Sequence, residues 1–421
     1  MFKLMIVVII FLIALNNYNK NRILSSSNIW ISCYFLIFVA YPIYSDEYYP
    51  NSELIDLFAL IGILVFWVGS FFGEHIRYSK KERENSIGTI PDFRVGLISY
   101  WTIFFSALIL LIQNQGISSL LRIIKGEISA KYFMLELGGA ESFYLLLIHL
   151  LVPCILVLWF TAITPRERKI ALFSLFSYCL LSTAFGFTRI FLISLILIIF
   201  LFEIRKLNKK KQVIFSFMGA ILIVTVLILM NFIRTFGLNS NQDVQRFINI
   251  DYVFESTDFS SSYYWFDRLL DYQDLNISPD VYLKPIFVFI PRSIWETKPE
   301  SLSLQILRQI DPELAALGYS TAGNSLLGEG YAIGGLPLMF FFVFIWGFLC
   351  AELDIQQRKR LVSDNEREFQ SIYYYIFSVF VIFGAQRGDW SQYMWIVIWF
   401  YMLPIYLMSK VKFKSIKIIK R

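Results

Sequence analysis

Four arginines stand where apolar runs of this chain give way to polar ones. Arg189 follows the short connection Ala184-Phe185-Gly186-Phe187-Thr188, and Arg234 closes the run Met230-Asn231-Phe232-Ile233. Arg292 follows the apolar residues 286–290, and Arg387 lies in Gly384-Ala385-Gln386-Arg387-Gly388-Asp389-Trp390. Two carboxylates share this setting, Glu329 at the opening of an apolar run and Asp389 beside Arg387, and Lys298 follows Arg292 closely. An arginine near hydrocarbon is unfavourable unless something compensates its charge. Snorkelling to lipid phosphate, with pairing to Asp389 or Glu329, is one compensation. A bound anion is the other: guanidinium clasps phosphate oxygens in pairs and never loses its charge. A diphosphate esterified to a lipid fits this depth, its tail between helices and its head among the arginines. Arginines can offset charge building on a bridging phosphate oxygen without a metal. A carboxylate at the same depth can orient or deprotonate an attacking hydroxyl.

The elements that must position these groups follow from composition. The chain is 57% hydrophobic and 17% charged, against about 25% charged in an ordinary globular domain. A soluble chain cannot cover that much apolar surface, so an all-α, polytopic membrane helix bundle is predicted. About eleven spans are expected, over residues 2–15, 28–44, 54–73, 95–113, 142–162, 170–186, 189–203, 212–232, 326–350, 370–386 and 391–409. The long polar stretch divides the chain into N-terminal transmembrane helices (1–233), one large extracytoplasmic loop (234–325), and C-terminal helices with a basic tail (326–421). Most of the 38 Lys and Arg residues fall in alternate connections, at 16–27, 74–94, 164–169, 203–211, 351–369 and the tail. Short basic loops stay in the cytoplasm. The expected orientation is therefore N-terminus outside, C-terminus cytoplasmic and 234–325 outside, so the four arginines mark the side where basic residues are disfavoured.

The first apolar run is expected to be a retained helix rather than a signal peptide, because its positive charges follow the core and no small-residue cleavage pattern does. In the second outer segment, 114–140, Ile117, Leu120, Leu121 and Ile124 have helical spacing opposite Arg122 and Lys125. This predicts an amphipathic helix on the membrane surface, or a lid over a site. Gly328, Gly330, Gly334 and Gly335 are expected to permit close helix packing. They form no phosphate loop, since no Lys-Ser/Thr follows them. Tyr263, Tyr264, Trp265 and Trp295 suit either stacking on sugar rings or anchoring at the interface. No metal and no cofactor is expected: His75 and His149 are far apart, and Cys33, Cys154, Cys179 and Cys350 all lie in apolar runs.

The stretch Ile290-Pro291-Arg292-Ser293-Ile294-Trp295-Glu296-Thr297-Lys298-Pro299 resembles the outer-loop signature I-P-R-x-x-W-x-x-K-P of Wzy-type oligosaccharide repeat-unit polymerases, which build O-antigen and capsular polysaccharide. Gly328-Glu329-Gly330-Tyr331-Ala332-Ile333-Gly334-Gly335 is similar to that family's G-E-x-Y-x-x-x-G at the start of the next span. The Asn-Phe often found before the family's glycine is Ala332-Ile333 here. The resemblance implies a GT-C-like helical fold and a metal-independent glycosyltransferase at the outer face of the bacterial cytoplasmic (inner) membrane. It would move a growing glycan from an undecaprenyl-diphosphate carrier onto a new undecaprenyl-diphosphate-linked oligosaccharide. Arg292 and Arg234, then Arg189, Arg387 and Lys298, would hold the diphosphate. Glu329 first, and Asp389 second, would serve as base or acceptor-orienting group. Expected partners are the lipid-linked substrate, the bilayer, and a chain-length regulator and flippase of the same pathway, with no nucleic acid.

Two rival readings remain at this level. An O-antigen ligase uses a similar body but relies on a histidine in the large outer loop, and residues 234–325 contain none. A non-enzymatic flippase or exporter would place polar and charged residues within the spans to line a path, whereas here they cluster at span ends.

Overall fold

The computed structural model describes residues 1–20, 22–23, 25–45, 47–78, 91–124, 143–184, 189–219, 225, 258–272, 275, 277–287, 290, 294–316, 322–362, 369–381, 388 and 390–411. These residues form helices and no strands. In chain order the elements are α1 (Phe2–Asn19), α2 (Ser26–Tyr44), α3 (Ser52–Tyr78), α4 (Phe93–Ile124), α5 (Phe143–Thr161), α6 (Pro165–Ala184) and α7 (Arg189–Ile204). In residues 258–316 come α8 (Asp258–Leu270), a 3-10 turn (Pro279–Leu283) leading into the helical turn Lys284–Phe287, α9 (Leu302–Ile310) and α10 (Pro312–Ala316). Then follow α11 (Leu326–Val362), α12 (Phe369–Ile376) running into a π-helical turn (Phe377–Val381), and α13 (Trp390–Ile396), which continues through a second π-helical stretch (Val397–Met402) into α14 (Leu403–Lys410).

Apolar runs take this form because a backbone in hydrocarbon must satisfy its own hydrogen bonds. Six helices among the described residues are long and apolar enough to cross a membrane: Phe2–Asn19, Ser26–Tyr44, Ser52–Ile76, Phe93–Leu110, Leu326–Gln356 and Tyr393–Lys410. Two shorter apolar helices, Leu147–Thr161 and Phe191–Ile204, lie among them. Local chemistry sets several starts. Ser25 caps α2 by accepting from the Asn28 N–H at 3.0 Å. Thr164 and Glu167 form a reciprocal capping box at α6, with the Thr164 N–H donating to Glu167 Oε2 at 2.8 Å and the Glu167 N–H to Thr164 Oγ1 at 3.2 Å. The expected surface helix in 114–140 is instead, as far as Ile124, an unbroken extension of α4.

Described residues of the basic connections 16–27, 164–169 and 203–211 meet the end of α3 and one another at one end of the bundle. Lys20 and Arg22 pair with Glu74 at the end of α3, while Lys3 and Asp56, 3.6 Å apart, join the opposite ends of the same two helices. Helices α1 and α3 therefore run parallel. Lys209 lies over the Tyr18 ring at 3.9 Å and Arg205 over Tyr375 at 4.7 Å. Glu203 accepts from Trp159 Nε1 at 2.9 Å and lies 3.6 Å from Arg168. Buried Asp354 of α11 caps α2 from outside, accepting from the Ser26 N–H at 2.5 Å and the Ser27 hydroxyl at 2.6 Å.

The core of the bundle is the crossing of α3 and α11. A Cβ on Gly69 would fall 2.2 Å from the Phe344 carbonyl oxygen, and one on Gly347 would fall 2.2 Å from that of Phe66. The small residues thus let two backbones touch. Trp30 stacks on Phe66 beside this crossing, with ring centroids 3.9 Å apart and planes within 4°.

The span predicted over 326–350 falls within α11, but the helix is interrupted. It breaks at Gly334 and Gly335, whose φ values are −154° and +64°. A Cβ on Gly330 would lie 2.5 Å from Met339 Cα, whereas residues nine apart on a straight helix are separated by about 13 Å. The chain therefore doubles back: a first arm (326–333) packs antiparallel against the start of a second arm (336–362). Leu327 on the first arm meets the Gly62 position, 3.3 Å from a Cβ built there. Gly62 lies about 15 Å along α3 from Ser52, at about 1.5 Å per residue. The start of the first arm therefore packs against the middle of α3.

Helix α8 packs onto this arm. On α8, Tyr263, Phe266 and Leu269 are fully buried, and Phe266 and Leu269 lie within 3.3 and 3.6 Å of a Cβ built on Gly328. Helix α9 buries Leu302, Ile306, Leu307 and Ile310, and is tied back by Tyr272, whose hydroxyl donates to the Ile310 carbonyl at 3.1 Å.

Candidate functional site

Glu329 is fully buried on the first arm of α11. The arm opens on a serine cap: Ser325 Oγ accepts from the Gly328 N–H at 3.2 Å, and the Glu329 N–H donates to the Ser325 carbonyl at 2.9 Å. The carboxylate is held from two further elements. The Tyr282 hydroxyl donates to Oε1 at 2.9 Å, and the Trp390 backbone N–H approaches Oε2 at 3.5 Å. Tyr282 stacks on Trp390, centroids 4.9 Å apart and planes 20° apart, and Trp346 meets Trp390 edge-on at 6.4 Å. The two donors thus brace each other as well as the carboxylate.

Two separated stretches of sequence reach Glu329 in this way. Tyr282 sits on the 3-10 turn, and the helical turn after it packs along α13. Trp390 opens α13, and Gly388 just before it has φ +85°. A Cβ on Gly388 would lie 1.7 Å from the Asn324 carbonyl oxygen. Only glycine fits both that backbone conformation and that approach, so the last turn rests directly on the entry to α11.

The signature stretch is tied at both ends. Lys298 Nζ donates to the Ile290 carbonyl at 2.9 Å, and the Lys298 N–H to the Trp295 carbonyl at 3.1 Å. Trp295 Nε1 donates to Thr297 Oγ1 at 3.0 Å, and its ring meets Phe287 edge-on at 5.7 Å. Lys298 therefore ties its own stretch back to Ile290.

A second polar cluster lies nearby on α8. The Asn51 N–H donates to Asp267 Oδ1 at 2.9 Å, and Tyr263 packs edge-on to Tyr49 at 5.0 Å. Burial pushes the Asp267 carboxyl above its ordinary range, with Asp271 acting in the same direction. Burial likewise raises the Tyr263 phenol, helped by Asp56 and Asp267.

Of the residues singled out by sequence, Glu329 and Lys298 are placed in full. Arg189 begins α7, but its side chain lies outside the described residues, as do Arg234, Arg292, Arg387 and Asp389 altogether. Their chain neighbours are placed: Ile290 and Ile294 on either side of Arg292, and Gly388 and Trp390 on either side of Asp389. Sequence reasoning passed over Tyr282 and Asn324, and took Trp390 only as a neighbour of Asp389. Nothing local distinguishes Tyr282 among 24 tyrosines.

The fold and site define an all-helical protein with apolar helices of membrane-crossing length and a buried, braced carboxylate on a doubled-back helix. The chain matches no protein-family model, and comparisons with curated proteins and with solved structures return no match.

Proposed function

We propose that the chain polymerises undecaprenyl-diphosphate-linked oligosaccharide repeat units at the outer face of the bacterial cytoplasmic membrane, transferring the growing glycan to a new lipid-linked unit. In this reading the bundle has eleven spans, with the N-terminus and residues 234–325 outside and the basic tail in the cytoplasm. The observation that carries the proposal is the bracing of Glu329 by Tyr282 and Trp390. It joins the Gly-Glu-Gly arm, the 3-10 turn that precedes the 290–299 stretch in sequence, and Trp390 at the start of α13.

The chemistry then runs as follows. An acceptor hydroxyl attacks the anomeric carbon of the donor glycan. Its proton passes to Glu329, and the bond from that carbon to the diphosphate oxygen breaks, its electron pair leaving with the lipid diphosphate. Arg292, Arg234, Arg189 and Arg387 offset the charge that builds on the leaving oxygen. Hydrogen bonds from Tyr282 and Trp390 fix the carboxylate's direction, so no reorganisation is needed during transfer.

Gene deletion tests the class of reaction. A polymerase leaves surface glycan of single repeat units. Unlinked polymer would instead indicate a ligase, and loss of all outward-facing units a flippase; either outcome contradicts the proposal.

A further inference from the structure

Asn324 is 1% exposed, and among the described residues neither its Oδ1 nor its Nδ2 has a hydrogen-bond partner. Burying an unsatisfied amide is unfavourable, and buried polar groups are otherwise almost always paired. Asn324 directly precedes the Ser325 cap. Its carbonyl lies against Gly388, and its Cβ is 3.3 Å from a Cβ built on Gly328. It therefore stands at the entry to the arm that carries Glu329, beneath the last turn.

We infer that Asn324 binds the acceptor sugar through a pair of neighbouring hydroxyls, one donating to Oδ1 and the other accepting from Nδ2. The inference rests on the polymerase reading and adds to it the group that selects the acceptor. A hydroxyl pair suits the amide because it uses both of its orphaned functions at once. An anion at the same helix start would lie close to the Glu329 carboxylate, and like charges so juxtaposed repel. A neutral polyhydroxyl ligand meets no such opposition, and it brings a hydroxyl towards the proposed base.

The test uses the purified full chain in detergent, with Asn324→Leu, which keeps the branching shape of asparagine, and Asn324→Ala. Thermal unfolding is followed alone, with undecaprenyl diphosphate, and with the undecaprenyl-diphosphate-linked repeat unit extracted from a host lacking the gene. The Leu variant alone should melt at or above the wild-type temperature, because the orphaned amide is gone. Undecaprenyl diphosphate should stabilise wild type and variants alike. The saccharide-bearing lipid should stabilise wild type further, and both variants should lose that increment, with apparent affinity about tenfold weaker. If the variants keep the whole increment, or if the sugar adds nothing in wild type, the assignment of Asn324 is overturned while the lipid-diphosphate reading stands. If neither lipid stabilises wild type, the polymerase reading falls and the assignment with it. Should the Leu variant fail to fold, the Ala variant decides on the same readings.

Discussion

The Tyr282 hydroxyl donates to the Glu329 carboxylate across 47 residues of sequence. One hydrogen bond thus ties the 3-10 turn to the doubled-back helix, and it orients the group proposed as the base.

Tyr282→Phe keeps the ring stacked on Trp390 and removes only this bond. Hydrogen bonds to charged groups contribute about 1.5–3 kcal/mol, so transfer should slow by roughly 10- to 100-fold with protein level unchanged. Timed accumulation of polymer in membranes measures this. An unaltered rate would show that Tyr282 does not orient the carboxylate.

Gly335→Ala places a side chain at φ +64°, which is unfavourable by about 1–3 kcal/mol. Gly388→Ala adds to a φ of +85° a Cβ 1.7 Å from the Asn324 carbonyl oxygen. Melting temperatures in detergent should fall in both, and further for Gly388→Ala. The opposite order would contradict the contact between the last turn and the entry to α11.

Gly69→Ala and Gly347→Ala each push a methyl against a facing carbonyl at the α3–α11 crossing. Overpacking of this kind is unfavourable by about 1–3 kcal/mol, and substitution by Leu should prevent accumulation of folded protein. Wild-type melting of both Ala variants would mean that the two backbones do not touch.

Asp267 gives a pH dependence. Burial raises its carboxyl and Asp271 adds to this, against the Asn51 N–H and Arg268, which lower it. A carboxyl raised on folding favours the protonated form. Its contribution to stability is complete below the ordinary carboxylate value and is lost as pH rises through the raised value. Asp267→Asn still accepts from the Asn51 N–H but does not titrate. The variant should therefore melt above wild type at neutral pH, and the gap should close as pH falls through the carboxylate range. A variant that melts lower at neutral pH contradicts the sign.

Much of the fold was legible because its signals are local. Apolar runs located the six helices of membrane-crossing length among the described residues, and the Lys/Arg-rich connections anticipated the end at which Lys20, Glu74, Lys209 and Arg205 gather. Glu329 stood out as a carboxylate opening an apolar run. The reversal in α11 did not, because Gly334-Gly335 lies inside a continuous apolar stretch and close packing explains small residues equally well. Packing is also present, at Gly330 against Met339, but the φ of Gly335 makes it a turn. The extension of α4 to Ile124 was hidden by the polar residues Gln113 to Gln115, which suggested a loop. Tyr282 and Asn324 were illegible for a different reason. Their significance depends on which groups meet them, or fail to, after distant segments pack, and no periodicity records that.

The most direct measurement is the surface-glycan ladder of a deletion strain carrying wild type, Glu329→Gln, Glu329→Asp or Arg292→Ala at matched protein levels. Glu329→Gln and Arg292→Ala should leave single repeat units, and Glu329→Asp a short, weak ladder. A full-length ladder from Glu329→Gln would rule out proton transfer by this carboxylate, and one from Arg292→Ala would remove the proposed grip on the diphosphate.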